Sequence, residues 1–377
     1  MKAVIAAYAR TPFHFARKGA LAETRPDTLA AQAVSGLLKR TDLDPALIED
    51  VILGCAYPEA SQGNNLARIV GLLAGLPQEV GGMTVNRFCG SSMQAVHIAA
   101  AQIEAGMGEA FLCVGVESMT MVPQGGFNFS PNPELLASTQ TYLSMGETAE
   151  NVAARWNVSR ADQEALAVES HRKATAARAE GRLADEIIPV RLANGDMIDA
   201  DGCIRPGTSL EALAGLKLAF RPDGSVTAGT ASPLTDGAAV VLVTSDAFAE
   251  KHGLAPMARV RSFATVGVDP AIMGIGPIPA TRKALARAGL TVADLDVVEI
   301  NEAFSSQALA CIRDLGLNPA TVNLDGGGLA IGHPLGATGA RITGKAAALL
   351  VRENGRYALS TQCIGGGQGI ATVLERV

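Results

Sequence analysis

A chain of 377 residues with 48% hydrophobic and 18% charged side chains holds enough apolar material for a large core spread over two or three domains, which excludes disordered and fibrous classes. A formal net charge of −6 excludes the broad basic face of a nucleic-acid binder, though not a phosphate-bearing ligand held by a few cations and helix N-termini. No stretch reaches the ~18 consecutive apolar residues of a membrane span, and the six cysteines have neither zinc-site nor disulfide-framework spacing, so no metal or permanently bound cofactor is expected.

The opening residues, Lys2 to Ala7, are interrupted early by Arg10, Thr11 and Pro12, so they read as a first strand and not a leader, and the expected address is the cytoplasm. A helix is expected over 28–38 and a strand over 48–53. Cys89-Gly90-Ser91-Ser92 then opens a helix whose Met93, Val96, Ala100 and Ile103 share one face, and a strand follows over 110–114. Residues 118–232 break the alternation: Pro-, Asn- and Gly-rich over 123–133, helical and charged over 146–182, with a strand expected over 185–191. The strand 238–243 returns the chain to the first half. The pattern then repeats. A strand at 258–262 matches the one at 4–8, a helix at 279–288 matches 28–38, and a strand within 295–300 matches 48–53. Gly328 to Pro334 opens a second long helix, and a strand at 357–361 matches 110–114. This reading gives an α/β fold of two duplicated halves, 1–117 plus 233–254 and 255–377, with 118–232 inserted as a substrate-binding segment. The equivalent helices of the halves should face each other.

Cys89 stands where a strand should turn sharply into a helix. Gly90 is expected to permit the turn, and the helix N-terminus to lower the thiol pKa and leave the Cys89 backbone N–H as an oxyanion donor. By itself the pattern fits a structural cysteine equally well. Of five histidines only His333 lies in a glycine-rich turn, Gly326 to Gly339, at the start of the matching helix, which makes it the natural base for Cys89. His14, His97, His171 and His252 read as surface or satisfied core residues. Cys363 ends a strand before Gly365, Gly366 and Gly367, where a second thiol could shuttle a proton to carbon beside N–H donors for an enolate. Asn301-Glu302-Ala303-Phe304 follows a strand end: Asn301 could hold a water or an oxyanion, or simply cap a helix, and Phe304 would wall an acyl site. Gly339 to Lys345 approaches a phosphate-binding loop, but it lies in a helix and Ala346 stands where Ser or Thr should ligate magnesium.

Cys89-Gly90-Ser91-Ser92, Gly229-Thr230-Ala231-Ser232 with Asp236-Gly237-Ala238-Ala239, Asn301-Glu302-Ala303-Phe304, Gly332-His333-Pro334 and Cys363-Ile364-Gly365 resemble the thiolase signatures, in thiolase order and along nearly the whole chain. The resemblance implies halves stacked as α-β-α-β-α layers with an inserted loop domain, and a ping-pong acyl transfer with coenzyme A as co-substrate. Cys89 would carry the acyl group. His333 would take its proton and, with a water on Asn301, form one oxyanion hole. Cys363 would protonate the departing acetyl-CoA carbanion, and the backbone N–H groups of Cys89 and Gly365 would form the second hole. Ser232 would contact the pantetheine, Met145 and Met273 would line the acyl pocket, and Lys217 would keep a positive charge where many relatives have arginine. The sequence looks most like the bacterial degradative 3-ketoacyl-CoA thiolases. Biosynthetic acetoacetyl-CoA formation is the alternative; many enzymes of that kind have histidine where this chain has Ser144. The resemblance further implies a homodimer or homotetramer and a hydratase/dehydrogenase subunit as a candidate partner. Ketoacyl synthases, which share the duplicated fold, usually lack a second cysteine like Cys363, and a non-catalytic scaffold should have lost Cys89, His333 or Cys363.

Overall fold

The computed structural model describes residues 1–377. In chain order the first half comprises β1 (Ala3–Arg10), β2 (His14–Phe15), α1 (Pro26–Thr41), β3 (Asp50–Gly54), α2 (Leu66–Leu73), β4 (Gly81–Val85), α3 (Ser91–Glu104) and β5 (Ala110–Ser118). The middle region holds α4 (Pro133–Ser138), α5 (Met145–Arg155), α6 (Arg160–Ala179), β6 (Val190–Arg191), β7 (Met197–Ile198) and α7 (Leu210–Ala214). Then come β8 (Thr235–Ser245), α8 (Asp246–Lys251), β9 (Ala258–Gly267), α9 (Pro277–Ala288), β10 (Val297–Ile300), α10 (Ser305–Leu315), α11 (Gly328–Ile331), α12 (Leu335–Arg352), β11 (Tyr357–Ile364) and β12 (Gln368–Arg376). No helix is long and apolar enough to cross a membrane.

The main sheet runs β10-β11-β12-β9-β1-β8-β5-β3-β4. β8 lies between β1 and β5, so the strand that returns from the middle region completes the first half. The two half-sheets are also joined along an edge, through the short pairing of Val4 and Ile5 on β1 with Arg259 and Ala258 on β9. The long runs of Ala, Val and Leu in β5 and β8 follow from burial on both faces. Alternate residues serve different layers: Ala239, Val241 and Val243 enter a central core, while Ala238, Val240 and Leu242 pack outward beneath α1 and α2. In the second half Val298, Ile300 and Leu359 pack outward against α9 and α10. The central core is filled by α3 and α12, which touch strands of both halves, so the order is helix, sheet, helix, sheet, helix. Almost every residue of α12 up to Leu350 is buried, as a helix enclosed on all sides requires.

The expected face-to-face contact of the equivalent helices is direct. A Cβ at Gly339 would lie 2.3 Å from the Met93 backbone nitrogen, and Ala340 N donates to Ser92 Oγ at 2.8 Å. Only a residue without a side chain admits that approach.

One local reading changes. The strand expected over 185–191 is reduced to β6 and a bridge from Ile187 to Arg10, because residues 184–186 form a 3-10 turn that places Glu186 in a buried ion network. Lys345 also belongs to that network: its ammonium lies 2.9 Å from Glu186 and 2.6 Å from Asp325. Arg10 lies 2.7 Å from Glu186 and Arg352 2.6 Å from Asp325, and Arg182 pairs with Asp325 and Asp201 with Arg10 in the same network. The phosphate-loop likeness is thereby explained away, since the lysine is spent on two carboxylates inside α12. Removing Lys345 would leave Glu186 to Arg10 and Asp325 to Arg182 and Arg352, a partial loss of compensation. Lys345→Met should therefore lower unfolding stability by about 2 kcal/mol, less than the ~3–5 kcal/mol of a fully stranded charge, read as a shifted urea midpoint at unchanged slope; an unmoved midpoint would show Lys345 to be dispensable.

Candidate active site

Cys89 sits in a one-turn 3-10 segment, Phe88–Gly90, between β4 and α3. The left-handed residue in the turn is Phe88, at φ 42°, whereas Gly90 has an ordinary φ of −83°. Gly90 serves close approach instead: a Cβ there would lie 2.5 Å from Ile364 Cδ1, so the turn is pressed onto β11 of the other half. Side chains hold the turn in shape. Asn86 accepts from Phe88 N at 2.8 Å and donates to Ala56 O at 3.0 Å, and Ser91 Oγ accepts from Arg87 N at 2.9 Å and donates to Phe88 O at 2.6 Å. From the second half, Gln362 Nε2 donates to the Cys89 carbonyl.

The backbone N–H groups of Gly365 and of Cys89 itself act on the Cys89 thiol in favour of its anion. They come from different halves of the chain. The expected lowering of the thiol pKa does not occur. Burial is the largest influence and, with the Glu117 carboxylate adding to it, pushes the thiol up to about 11 against the pull of the two N–H groups. The resting group is a neutral thiol, and a base has to remove its proton.

Cys363, 1% exposed at the end of β11, packs with Met145, Met273, Ala303 and Phe304. Burial pushes its thiol well up, and the neighbouring Cys89 pushes it further, which places the two sulfurs within electrostatic reach of each other. Met145 also flanks Gly365, with its sulfur 3.4 Å from where a Cβ on that glycine would stand. Phe304 packs edge-on against Phe220, with ring centroids 6.0 Å apart, and pairs in a bridge with Ala231.

His333 lies between α11 and α12, 4% exposed. Thr338 Oγ1 is 2.6 Å from Nδ1 and donates its own proton to Pro334 O at 3.0 Å. The hydroxyl can then only accept from the ring, so Nδ1 carries the hydrogen and Nε2 the free lone pair. Asn301 Nδ2 is 3.2 Å from that Nε2, and the His333 backbone N–H is fixed by Thr235 Oγ1 at 3.1 Å. Burial first, then Arg341, pushes the imidazole down to about 3. It is a neutral base at physiological pH. Asn301 does not cap a helix: α10 begins at Ser305, while Asn301 is fully buried with Oδ1 left without a protein partner.

Three carboxylate or amide residues that the sequence did not single out organise these parts. Glu117, at the end of β5, accepts from Ala56 N at 2.8 Å, Gln62 Nε2 at 2.8 Å and Gly336 N at 2.9 Å. It thus ties the loop after β3 to the first turn of α12, and Leu335 beside Gly336 packs in one cluster with Cys89. Glu302 accepts from Ser170 Oγ at 2.7 Å and Leu329 N at 3.2 Å, fixing the glycine turn that leads to His333. Asn323 bonds both backbone groups of Ile300 at 2.9 Å and so extends the β10 edge beside Asn301. The partners of each are scattered along the chain, so no local spacing signals them; Glu302 alone fell inside a recognisable motif.

Ser232 is half-buried, and its backbone N–H donates to Ala303 O at 2.9 Å, so it adjoins Phe304. Lys217 is exposed on the middle region and makes no ion pair. Ser144, which replaces the histidine of many biosynthetic relatives, caps α5 reciprocally with Glu147.

The low imidazole values have a consequence for stability. His97 on α3 stacks on Phe263 at 4.3 Å and meets Thr372 Oγ1 at 2.8 Å, and burial pushes it down to about 3, as it does His333. Above an unfolded value of about 6.5 neither state binds these protons. Below it the unfolded chain takes up these protons, which His97 and His333 in the fold refuse until about pH 3 and buried His171 until about pH 4, so stability is lost as pH falls through this window. Each histidine contributes a slope of about 1.4 kcal/mol per pH unit. His97→Gln, which retains a donor for Thr372, should remove one such increment between pH 6 and 4 in chemical denaturation; an unchanged slope would mean that His97 titrates normally.

Comparison with known proteins follows the same pattern. The family model described as thiolase, N-terminal domain, matches residues 3–247, and that described as thiolase, C-terminal domain, matches residues 254–376. The 3-ketoacyl-CoA thiolase of Shewanella denitrificans is 50% identical and that of Shewanella putrefaciens 49% identical, each over 100% of both chains. The crystal structure of human mitochondrial 3-ketoacyl-CoA thiolase in complex with CoA superposes with a TM-score of 0.92 at 37% identity, covering 100% of this chain and 98% of that one.

Proposed function

The chain belongs to the thiolase family, and from that premise we propose that Cys89, His333, Asn301, Cys363 and Gly365 divide among them the CoA-dependent thiolytic cleavage of 3-ketoacyl-CoA. The products are acetyl-CoA and a shortened acyl-CoA. Degradative cleavage is favoured over condensation of acetyl-CoA because the relatives that match end to end are 3-ketoacyl-CoA thiolases.

His333 Nε2 takes the Cys89 proton, and the sulfur attacks the 3-keto carbon. The bond between C2 and C3 breaks, the acyl group stays on Cys89 as a thioester, and the acetyl-CoA enolate leaves. Cys363 gives its proton to C2. In the second half-reaction the thiol of an incoming CoA returns a proton to Cys363 and attacks the thioester carbonyl, and the departing Cys89 sulfur recovers its proton from His333. Each addition places negative charge on an oxygen, and one preorganised donor is worth about 3 kcal/mol. The N–H groups of Cys89 and Gly365 are the donors for the thioester oxygen; His333 and a water on Asn301 serve the enolate oxygen. Splitting the reaction through a thioester replaces one hard step by two easier ones.

What supports this reading is that the Cys89 turn is pressed onto β11, the strand that ends in Cys363, with Gln362 bonded to the Cys89 carbonyl, while Asn301 meets His333 Nε2 at 3.2 Å. Residues 118–232 are proposed as the cover that binds the substrate, with Ser232 and Lys217 toward coenzyme A and Met145, Met273 and Phe304 around the acyl chain. Steady-state thiolysis across a 3-ketoacyl-CoA series tests it. Turnover of chains longer than acetoacetyl-CoA is expected; activity confined to acetoacetyl-CoA would reject the degradative reading.

A homodimer or homotetramer is proposed on the open outer edge of β4, which pairs only with β3, and on Leu72 and Leu73 of the adjoining α2, 46% and 55% exposed. The resemblance to degradative enzymes supports a hydratase/dehydrogenase subunit as a further partner.

A further inference from the structure

The middle layer contains a buried ion pair that the reaction scheme leaves unused. Arg341 on α12 and Glu299 on β10 are 1% and 0% exposed, with Nη1 and Oε2 3.4 Å apart. Neither Glu299 oxygen nor Arg341 Nε or Nη2 makes a hydrogen bond to another protein group. A pair so thinly satisfied is a poor source of stability, because the desolvation of two charges opposes their attraction. Its location is informative. Val298 and Ile300 of β10 point to the outer core, so Glu299 and Asn301 share the face turned toward α12. His333 lies just before α12, and Arg341 follows within it. β10 and the residue after it are therefore joined twice to α12 and the turn before it, by Asn301 to His333 at 3.2 Å and by Glu299 to Arg341 at 3.4 Å. The two bridges are one strand repeat apart, about 7 Å.

We propose that Glu299 and Arg341 are positioning residues for the base: their ion pair sets the separation of β10 and α12 at which Asn301 meets His333 Nε2. The proposal rests on the roles given above to His333 and Asn301. Lys345 of α12, Asp325, Glu186, Glu302 and Tyr8 of β1 are the other ionisable groups that act on this pair. Lys345 is already engaged by Glu186 and Asp325, which leaves Arg341 as the cation paired with Glu299. The guanidinium also acts on the imidazole directly, helping burial to keep it neutral.

The test uses Glu299→Gln/Arg341→Met, which removes both charges together and leaves neither stranded, with the full chain and rapid-quench measurement of Cys89 acylation by a 3-ketoacyl-CoA. Acylation should slow by about 10²-fold, the cost of misplacing a reacting group by about 1 Å, while KM and the melting temperature stay near wild type. In an Asn301→Ala background the same double change should cost less than about twofold, because what it positions is gone. Full additivity with Asn301→Ala, a fall in melting temperature with acylation intact, or a change in KM alone would each overturn the proposal. Should the double variant not fold, Glu299→Asp keeps the charge but shortens the reach; slowed acylation is expected, and wild-type acylation would overturn the proposal. If Asn301→Ala itself acylates normally, the assignment of Asn301 falls and the positioning role falls with it. Normal acylation in the double variant beside impaired Asn301→Ala rejects the positioning role alone.

Discussion

Cys89→Ala is expected to carry no acyl group after mixing with any 3-ketoacyl-CoA, and to lose at least ~10⁴-fold in thiolysis, the scale seen when a covalent nucleophile is removed. No other thiol can substitute. Cys55, Cys113 and Cys311 are buried with their thiols pushed up by burial, and Cys203 is enclosed at about 12 by the same cause. Cys363 is the nearest replacement, yet the two N–H groups belong to the Cys89 position, so an attack from Cys363 would leave the new oxyanion without them. The change removes one sulfur from a half-buried turn whose shape is held by Asn86, Ser91 and Gln362, so the fold should survive. Intact-mass measurement decides the matter: an acyl adduct on the alanine variant would remove Cys89 from its role.

Much of this site was readable along the chain because its parts lie at repeated landmarks. Cys89 and His333 precede equivalent helices of the two halves, Asn301 follows β10 and Cys363 lies at the end of β11; the structure brings Asn301 to His333 and the turn of Cys89 to β11. What was not readable depends on environment. The thiol pKa was misjudged since helix position is local, whereas the enclosure that raises it is built by distant segments. Phe88, not Gly90, takes the left-handed turn, because Gly90 is needed for its small size against Ile364. The strand expected over 185–191 fails for a similar reason: buried cations claim Glu186, and the chain turns there instead of extending. Glu117 binds partners at 56, 62 and 336, a set that only the folded chain assembles.

Cys363→Ala should separate the two kinds of chemistry. Moving an acyl group from a simple acyl-CoA to Cys89 breaks only a carbon–sulfur bond; Cys363 protonates the departing CoA sulfur in this direction, but a thiolate leaves readily without a proton, so the nucleophile, its base and the two N–H donors suffice. That step should remain within a few-fold of wild type. Cleaving 3-ketoacyl-CoA instead releases an enolate that has to be protonated at carbon, and loss of a positioned acid costs about 10²–10⁴-fold. Cys363 suits that task because burial among Met145, Met273 and Phe304, reinforced by Cys89, holds its thiol well above the usual range. It therefore rests as the acid, and becomes an anion only when carbon takes its proton. The reverse transfer gives a direct readout: with acylated wild-type enzyme the methyl hydrogens of acetyl-CoA should exchange with deuterated solvent, and in Cys363→Ala this exchange should vanish while the acyl adduct on Cys89 still forms. Persistent exchange would assign the proton to another group. Loss of the adduct as well would mean that the substitution had damaged the shared pocket, and His333, whose Nε2 alone serves Cys89 in this scheme, would then be the residue to probe for the proton at carbon.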